Sequence, residues 1–593
     1  MNILGVSCHY HDSAAALLQD GKLTAAAEEE RFSRKKHDYG FPHHAIDFCL
    51  KQGRIGGQDL HYVVFYEKPL VKFERILMTT LGTFPRSWKV FREAMIAWFD
   101  EKLWIKSQLI KYLGVPSNRV LFVDHHMAHA ASAFFASPFK DAAILTIDGV
   151  GEWTTATMGT ATAQWDGQGA NAIRLSHEIR FPHSLGLLYS AFTAFLGFEV
   201  NEGEYKVMGM APYGTPRYVD KVHKLVHVAD DGSFHLDMDY FSFHHSTHQT
   251  FSQKFVDLFG EPRDPQSEFV TRLTHNDVSG YEAQVETNQY YADVAASIQR
   301  VTEETLLKMA NHIQKQTGLK RLCMAGGIAL NSVANGRILR ETAFEELFIQ
   351  PAAGDSGGAV GAALYAWHVL LGKPRAYVME NAYLGASYGE SEIVSFLKSN
   401  GIRHQEYGDD EKMLSGLIDD LQAGKAIGWF QGRFEWGPRA LGNRSIIADP
   451  RRAEMKYIVN SKIKFREPFR PFAPVILEHQ ASKFFNGAKD ATRQYPARFM
   501  LLVLPWKGEE GHLVPAVNHL GTGRLQTIRA EWNPRYYRLV ELFGQATGVP
   551  VLMNTSFNLR GEPIVASPQN AWNTFSNSGI DVLVLDRFVI RKG

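Results

Sequence analysis

Cysteine is scarce in this sequence, since Cys8, Cys49 and Cys323 are the three cysteines among 593 residues. So few and so widely separated thiols argue against a disulfide framework and against a metal site built from cysteine. An excess of charge is also missing, because 63 basic side chains balance 63 acidic ones. A chain that is neutral overall gives no electrostatic reason to expect nucleic acid or another polyanion as a partner.

Long uncharged apolar runs are absent too, so the sequence predicts no helix that spans a membrane. The first residues, MNILGVSCHYHDS, are typical of a strand and have no basic or long apolar leader, so we expect an unexported, cytoplasmic protein. Core material is plentiful, with 45% hydrophobic and 12% aromatic residues. A chain of 593 residues exceeds one ordinary core, and we expect two or more domains.

The segment VDHHMAHAASAFFASPFKDAAILTID carries a candidate metal site. If its Ala-rich part is helical, the i, i+4 spacing of His125 and His129 puts both imidazoles on one face. The apolar run that follows is typical of a buried strand ending at Asp148, and Asp355 is a candidate fourth ligand at the end of a later strand. Imidazoles and carboxylates together suit Fe(II), Mn(II) or Zn(II), and donor chemistry does not separate these metals.

The HxxxH spacing alone is weak evidence, because ordinary surface helices carry it as well. A second pair, His244 and His248, is followed by no strand-terminal carboxylate, and we interpret it as a surface cluster. A metalloprotease is disfavoured, because HHMAH does not contain the glutamate of HExxH.

Polar, glycine-rich turns between apolar segments predict phosphate binding. His11 and Asp12 stand at the tip of the first turn, and GVGEW forms a second turn in a similar strand-turn-strand unit, which suggests an internal duplication. AGGIALN and GDSGG precede helices, whose N-termini offer N–H groups to an anion, although tight turns of any α/β protein look similar. With a lysine from the predicted loop NEGEYKVMGMAPYG, the candidate nucleotide-binding residues are Asp12, Gly149, Gly151, Lys206, Gly326, Gly327, Asn331 and Gly354.

The pattern of elements predicts two domains. Residues 1–375 form the first, within which the polar segment 215–285 is interpreted as an insertion or a lid over the acceptor. Residues 376–388 are the predicted linker, and residues 389–593 form the second domain.

The second domain carries a candidate pocket for a small anion. Between Arg433 and Arg470 there are ten basic and four acidic side chains, a local excess of +6 interleaved with Gly, Pro and aromatic residues. Arginine forks bind carboxylate and phosphate groups bidentately. The alternative is a solvated basic face, whereas a nucleic-acid site would require a basic stripe over more of the chain.

Taken together, these motifs resemble the NodU/CmcH-type O-carbamoyltransferase family. The resemblance runs nearly end to end and rests on YHDSAAALL, EEERFSRKKHD, HHMAHAASAF, TIDGVGEW, KVMGMAPYG, AGGIALN, GDSGGAVGAAL, GRFEWGPRALGNRSI and NTSFNLRGEPIV. It implies an α/β fold in which a duplicated ASKHA-type domain, as in actin, sugar kinases and Hsp70, precedes a YrdC-like α/β domain.

The resemblance implies an ATP-dependent O-carbamoyltransferase. The C-terminal domain would form carbamoyl adenylate from carbamoyl phosphate and ATP with Mg(II), and the N-terminal domain would transfer the carbamoyl group to a hydroxyl of a small natural product. His11 would deprotonate that hydroxyl, and the metal, expected to be Fe(II), would bind at the four candidate ligands. The resemblance assigns Lys464, Arg470, Arg524 and Arg560 to carbamoyl phosphate. Further candidates for binding carbamoyl phosphate or the adenylate are Arg439, Asn443 and Asn554.

Other functions and states stay open at this point. A sugar or small-molecule kinase of the ASKHA type leaves the second domain and the histidine-carboxylate set unexplained. A non-catalytic ATP-sensing module would use the same turns, and a tRNA-modifying enzyme rests on fold analogy alone. The sequence is compatible with a homodimer, and no residue selects the acceptor.

Overall fold

The computed structural model describes residues 1–100, 102–165, 167, 170–275, 277–488 and 493–592. Its strands are β1 Asn2–Ser7, β2 Ala14–Gln19, β3 Lys22–Glu28, β4 Tyr62–Phe65, β5 Val120–Phe122, β6 Asp141–Ile147, β7 Thr154–Thr162, β8 Ala172–Arg180, β9 Val226–Val228, β10 Phe234–Leu236, β11 Arg321–Ala325, β12 Glu346–Phe348, β13 Gln405–Glu406, β14 Ile427–Phe430, β15 Arg444–Ala448, β16 Ala473–Leu477, β17 Leu502–Pro505, β18 Thr522–Ile528, β19 Val551–Ser556, β20 Val582–Leu585 and β21 Phe588–Arg591. Its α-helices are α1 Glu30–Ser33, α2 His43–Gly53, α3 Pro69–Gly82, α4 Trp88–Asp100, α5 Ile105–Leu113, α6 His125–Phe134, α7 Leu185–Phe195, α8 Glu204–Met210, α9 Val219–Val222, α10 Gln253–Phe259, α11 Glu282–Thr317, α12 Ser332–Glu341, α13 Gly357–Tyr365, α14 Glu390–Ser399, α15 Asp410–Gln422, α16 Glu454–Tyr457, α17 Ala481–Phe484, α18 Pro534–Thr547 and α19 Pro568–Ser576.

Two five-stranded sheets with the same topology lie in the N-terminal part of the chain. Their strand orders are β3-β2-β1-β4-β5 and β8-β7-β6-β11-β12. In each sheet the third strand has an antiparallel hairpin on one side and two parallel strands on the other. The repeated topology confirms the α/β class and the internal duplication that the strand-turn-strand units predict.

Small residues let helix α13 approach its neighbours closely. A side chain at Gly361 would collide with the carbonyl oxygen of Ala128 on α6, and one at Gly5 in β1 would collide with the carbonyl oxygen of Ala359. Gly361 therefore permits backbone contact of α13 with α6, and Gly5 permits the contact with β1. This packing fixes the start of α6 relative to the start of α13.

The C-terminal part folds around a nine-stranded mixed sheet of order β13-β21-β20-β14-β15-β19-β16-β18-β17. Successive side chains of a strand point to opposite faces. Ile446 accordingly packs on the side of α14 and α19, and Ile447 packs on the side of α15 and α18. The sheet is therefore covered by helices on both faces.

The predicted linker, residues 376–388, is described by the structure throughout and contains no helix or strand. They are nevertheless anchored. The carbonyl of Leu384 accepts a hydrogen bond from the N–H of Ala26 at 3.2 Å, and that of Ala382 accepts one from the N–H of Trp436 at 2.7 Å. The segment therefore bonds to both parts of the chain.

The segment predicted as an insertion, residues 215–285, contains the β9-β10 hairpin and helices α9 and α10. It packs through aromatic rings, since Phe255 and Phe259 lie 5.1 and 5.2 Å from the ring of Phe192 on α7. Its last residues already belong to α11, which extends over 36 residues and ends at Gly318 in the left-handed conformation. In the described part of the chain, no helix is both long and apolar enough to cross a membrane.

Candidate active site

Four side chains predicted as metal ligands meet in the N-terminal part. His125 and His129 lie on the first turns of α6, as predicted, and their Nε2 atoms are 3.0 Å apart. Asp148 directly follows strand β6, also as predicted. Asp355 is not at a strand end, because β12 ends at Phe348 and a loop of small residues then leads to α13. Its carboxylate instead stands just before the start of that helix.

The geometry of these four residues fits a divalent metal. One ligand atom from each lies within 4.8 Å of all the others, and all four side chains are buried. The Nε2 atom of His129 is 3.5 Å from Oδ2 of Asp148 and 3.4 Å from Oδ1 of Asp355. Neither Asp355 oxygen makes a hydrogen bond of good geometry with a described donor. A buried carboxylate without such a partner is costly, and a bound cation would remove that cost.

Charge is strongly polarised in this cluster. Burial raises the pKa of Asp148, but its hydrogen bonds with His125 and His129 outweigh burial and hold that pKa well below the usual range. Burial lowers the pKa of His129, but the nearby carboxylates of Asp148 and Asp355 outweigh burial and raise it to about 9. Two imidazoles with two carboxylates are a donor set suited to Fe(II), Mn(II) or Zn(II).

A buried ion pair lies behind the cluster. The Nζ atom of Lys72 is 2.8 Å from Oε2 of Glu67, and the same oxygen is 3.8 Å from Nδ1 of His125. The sequence analysis did not select either residue. Glu67 stands just past the end of β4, and this position beside a strand end was the available signal.

A cavity of about 700 Å³ adjoins the carboxylates of Asp148 and Asp355. The predicted nucleotide-binding residues that line it are Asp12, Gly149, Lys206, Gly327, Asn331 and Gly354. Gly151 and Gly326 lie behind the wall. A side chain at Gly151 would collide with the ring of His125, and one at Gly326 would collide with the backbone of Ile147.

Lys206 lies on helix α8, whereas the sequence predicts a glycine-rich loop there. Burial of Val207 and Met210, which join the main core, outweighs the helix-weakening effect of the neighbouring glycines. The Nζ atom of Lys206 is 3.3 Å from Oε1 of Glu467, so this helix reaches the C-terminal part of the chain.

His11 and Asp12 also line the cavity, together with His37, which the sequence analysis did not select. Burial alone would lower the pKa of His11, but the hydrogen bond and charge of Asp12, with the charges of Asp355 and Asp148, outweigh it and raise that pKa to about 9. Burial raises the pKa of Asp12, but hydrogen bonds to both imidazoles outweigh it and lower that pKa.

The opposite wall of the same cavity is basic and comes from the C-terminal part. Its cationic side chains are Arg439, Lys464, Arg466, Arg470, Arg524 and Arg560. Arg466 was not selected from the sequence, although it stands within the basic segment. Arg524 lies on β18, and Arg439 lies in the loop between β14 and β15.

Except for the exposed Arg560, these cations are buried or partly buried, and they have little neutralisation. Burial, followed by the charges of Arg439 and Arg470, lowers the pKa of Arg524 well below its usual range. Glu467 pairs with Arg470 at 3.4 Å, but no ion pair among the described residues includes Arg439, Arg466 or Arg524. A group of partly buried like charges is disfavoured unless an anion accompanies it.

The ammonium group of Lys464 donates its hydrogen bonds to uncharged oxygens. Its Nζ donates to the carbonyls of Ser556 at 2.8 Å and Asn558 at 2.9 Å. Burial, followed by the charges of Arg466 and Arg470, lowers its pKa well below the usual range. This lysine is therefore also part of the under-neutralised wall.

Two of the predicted carbamoyl-phosphate residues are not in the wall. Asn443 donates to the carbonyl of Arg433 at 2.7 Å, and Asn554 is fully buried and donates to Gln526 at 2.6 Å. These bonds hold loops of the C-terminal sheet together. Both asparagines therefore lie beside the cavity residues in sequence but outside the cavity lining.

The segment 215–285, with its histidine pair His244 and His248, lies outside the described lining of this cavity. None of the described residues of segment 215–285 lines the cavity, so its role as an acceptor lid stays a prediction. His248 is exposed and His244 is half-buried, and neither belongs to a potential metal cluster among the described residues.

Comparison with known proteins shows the family. The family model for the carbamoyltransferase N-terminus matches residues 2–364, and that for the carbamoyltransferase C-terminus matches residues 418–592. An uncharacterized protein of Synechocystis sp. is 46% identical over 100% of this chain and 97% of its own length. Nodulation protein NolNO of Sinorhizobium fredii is 35% identical over 98% of this chain and 79% of its own length.

A relative whose name states an activity matches part of the chain. The 3'-hydroxymethylcephem-O-carbamoyltransferase of Streptomyces clavuligerus is 31% identical over 51% of this chain and 53% of its own length. Both parts of the chain match carbamoyltransferases, which does not favour a kinase or an ATP-sensing module. The chain therefore belongs to the NodU/CmcH-type carbamoyltransferase family, as its motifs predict.

Proposed function

We propose that this protein is an ATP-dependent O-carbamoyltransferase that uses carbamoyl phosphate and acts on a hydroxyl of a small natural product. One observation carries the proposal. A single cavity has the histidine-carboxylate cluster and His11 on one wall and the under-neutralised cations on the other. An anionic activated intermediate made at the basic wall would thus meet a base without leaving the protein.

The basic wall suits the activation step. Arg439, Arg466 and Arg524 would bind the phosphate groups of carbamoyl phosphate and ATP, because guanidinium groups pair bidentately with phosphate. Cleavage of carbamoyl phosphate by water gives phosphate and carbamate. A carbamate oxygen then attacks the α-phosphorus of ATP, which forms carbamoyl adenylate and displaces pyrophosphate.

The opposite wall suits the transfer step. An alcohol is a weak nucleophile at neutral pH, and a positioned general base typically contributes about 10²- to 10⁴-fold. His11 would take the hydroxyl proton at Nε2, because its Nδ1 faces Asp12 at 3.0 Å. The acceptor oxygen bonds to the carbamoyl carbon as the bond to the AMP oxygen breaks, and AMP leaves. Enclosure between the walls would protect the adenylate from hydrolysis.

A divalent metal, expected to be Fe(II) with Mn(II) or Zn(II) as alternatives, would bind at His125, His129, Asp148 and Asp355. The unpartnered oxygens of Asp355 support this assignment. A metal bound there supplies a Lewis acid beside the adenylate phosphate. The turn residues lining the cavity, Asp12 and Gly327 among them, would contact the nucleotide.

The domain assignment is part of the proposal. Residues 1–375 would be an ASKHA-type domain, supported by the two sheets of equal topology, and residues 389–593 a YrdC-like domain around the nine-stranded sheet. The two family matches, which end at residue 364 and begin at residue 418, agree with a division between them. The relatives support a small hydroxyl compound as acceptor.

Pyrophosphate release tests the activation step before any acceptor is known. Purified, metal-loaded protein with ATP is expected to release pyrophosphate only when carbamoyl phosphate is added. The variant Arg524→Gln is expected to lose about 10- to 100-fold of this rate, since a charge-assisted hydrogen bond to phosphate contributes about 1.5–3 kcal/mol.

Arg538→Gln is the matched control, because Arg538 lies outside the cavity lining and pairs with Glu411 at 2.7 Å on the surface. It is expected to keep the wild-type rate. The proposed function would be contradicted if the rate of pyrophosphate release did not depend on carbamoyl phosphate, or if the Arg524→Gln variant were as active as the control.

A further inference from the structure

Three side chains at the cavity wall form a hydrogen-bonded row. The carboxylate of Asp12 lies between two imidazoles, with Oδ2 3.0 Å from Nδ1 of His11 and Oδ1 2.8 Å from Nδ1 of His37. The two rings are 5.5 Å apart at an interplanar angle of 70°. Because both Nδ1 atoms face the carboxylate, each imidazole donates its Nδ1–H to it. The Nε2 atom of His11 is left free of this row.

His37 is itself held in place by its own segment. Its backbone N–H donates to Oε2 of Glu30 at 3.0 Å. The same segment is tied to the C-terminal part, since Arg34 donates to the carbonyls of Pro563 and Ile564 at 2.7 Å each. The position of His37 is therefore set by contacts with both parts of the chain.

We propose that His37 is a positioning residue for carbamoyl transfer, which acts through Asp12 to hold the His11 ring with Nε2 toward the acceptor hydroxyl. This inference rests on the function proposed above. A carboxylate bonded through one oxygen can turn about its Cβ–Cγ bond, whereas one bonded through both oxygens cannot turn without breaking a hydrogen bond. Orientation of this kind contributes directly to rate, because small displacements of a reacting group are costly.

The proton balance of the step involves His11 alone. The hydroxyl proton passes to Nε2 of His11 while the new carbon-oxygen bond forms and AMP leaves. Asp12 and His37 neither gain nor lose a proton in this step. His37 is therefore not a second base. Its role is to orient the His11 ring through Asp12 and to place a positive charge near it.

A metal ion bound by the three side chains is the alternative to a hydrogen-bonded row. Their ligand atoms also lie within 4.8 Å of one another. Both oxygens of Asp12, however, already bond to a ring nitrogen, whereas Oδ1 of Asp355 lies 3.4 Å from Nε2 of His129 without good hydrogen-bond geometry. The geometry therefore favours the row, and metal stoichiometry distinguishes the two.

Charges around the row determine the direction of pH effects. Asp12, Asp355 and Asp148 face His11, and Asp12 and Glu30 face His37. Burial lowers the pKa of His37, but the hydrogen bond and charge of Asp12 outweigh it and raise that pKa. Two cationic rings lower each other's pKa. Removing His37 is therefore expected to raise the pKa of His11.

The test compares His37→Ala and His37→Asn with the wild type. Asn keeps a donor for Asp12 but removes the charge, whereas Ala removes both. His44→Ala is the matched control, because His44 also bonds a carboxylate, Glu29 at 2.6 Å, but does not line the cavity. Pyrophosphate release, transfer to a hydroxyl acceptor found by screening, metal content and ¹³Cε1-histidine NMR titrations are measured on the full-length, metal-loaded protein.

We expect pyrophosphate release to stay within twofold in all variants. Transfer by His37→Ala should fall on the order of 10- to 100-fold, less than the loss of the base itself would give. His37→Asn should recover most of the maximal rate, while its pH profile stays shifted upward. The His11 resonance, assigned by its loss in His11→Ala, should titrate at higher pH in both His37 variants and unchanged in His44→Ala.

Unchanged transfer and an unchanged His11 titration in His37→Ala would overturn this inference while leaving the proposed function intact. Two metal ions per chain, falling to one in His37→Ala, would also overturn it in favour of a second metal site. Absence of carbamoyl-phosphate-dependent pyrophosphate release in the wild type would instead overturn the proposed function. The pKa of His11 measured by NMR shows whether the hydrogen-bonded row is present, whichever way the activity assays turn out.

Discussion

The groups around His11 set its pKa, and that pKa should determine how the rate of carbamoyl transfer depends on pH. A base must be deprotonated to accept a proton, and the pKa of His11 is raised to about 9, chiefly by Asp12 acting against burial. Transfer should therefore increase as pH rises from 7, with its half-maximum at or below about 9 because a bound dication near Asp148 and Asp355 lowers the pKa of His11.

The Asp12→Asn variant checks this assignment. Loss of the Asp12 charge and hydrogen bond removes what raises the pKa of His11, so the transfer profile should move to lower pH. Pyrophosphate release measured over the same pH range separates a shift of the transfer profile from any effect of Asp12 on nucleotide binding. A transfer profile that keeps its position in Asp12→Asn would show that His11 is not the titrating base.

The environment of Asp355 leads to a prediction about the stability of the folded protein rather than about reaction rate. In the absence of metal its buried carboxylate has no hydrogen-bond partner of good geometry among the described residues. Metal binding should stabilise the folded protein by about 2.7 kcal/mol when free metal is 100 times its Kd. We expect Fe(II) or Zn(II) to raise the Tm of the wild type but to have little effect on Asp355→Asn, which should fold without metal.

Thermal unfolding with and without chelator measures this difference. Asp141→Asn is the control, because Asp141 is an aspartate at the exposed start of β6, 3.5 Å from Arg321. It should keep the full metal-dependent shift. An equal shift in Asp355→Asn would mean that the cation binds elsewhere.

Among the glycine-rich turns, that after β11 has the clearest structural reason for its sequence. Gly326 has a φ of 93°, and a side chain there would collide with the carbonyl of Ile147 at the end of β6. Gly326→Ala should therefore lower the free energy of unfolding by more than about 1 kcal/mol, because both the backbone conformation and the contact are incompatible with Cβ.

Gly408→Ala is the matched control for this turn. Gly408 is exposed, and a side chain there would meet nothing within 4 Å. Chemical denaturation of the two variants should show a loss of stability for Gly326→Ala only. Equal stability of the two would mean that the turn can adopt another conformation.

Local patterns predict the individual elements around the metal site well. The Ala-rich sequence after His125 forms a helix, and the apolar run before Asp148 forms a strand, because each pattern matches the burial of its element. The helix around Lys206 and the loop position of Asp355 are not predictable in this way. In both cases tertiary packing, rather than local propensity, decides the outcome.

The meeting of the two parts of the chain is also beyond local patterns. Motifs identify the glycine-rich turns and the basic segment, but they do not show that Asp355 and Arg524 face one cavity. Likewise, nothing in the sequence marks Asn443 and Asn554 as internal, since their partners are distant backbone and side-chain groups. His37 is selected only once the fold brings it to Asp12.

The shared cavity is the feature on which the account depends. It joins a wall with little counter-charge to a wall that carries His11 and the proposed metal ligands Asp148 and Asp355. Such an arrangement is expected to convert ATP to pyrophosphate and AMP, whereas a kinase that used the same turns would convert it to ADP.

Identification of the nucleotide product therefore tests the central claim most directly. Full-length, metal-loaded protein would be mixed with ATP and ¹³C-labelled carbamoyl phosphate, quenched rapidly and analysed by mass spectrometry. The account predicts ¹³C-carbamoyl adenylate that elutes with the protein, together with pyrophosphate and no ADP. Formation of ADP, or the absence of any carbamoyl-phosphate-dependent nucleotide product, would contradict it.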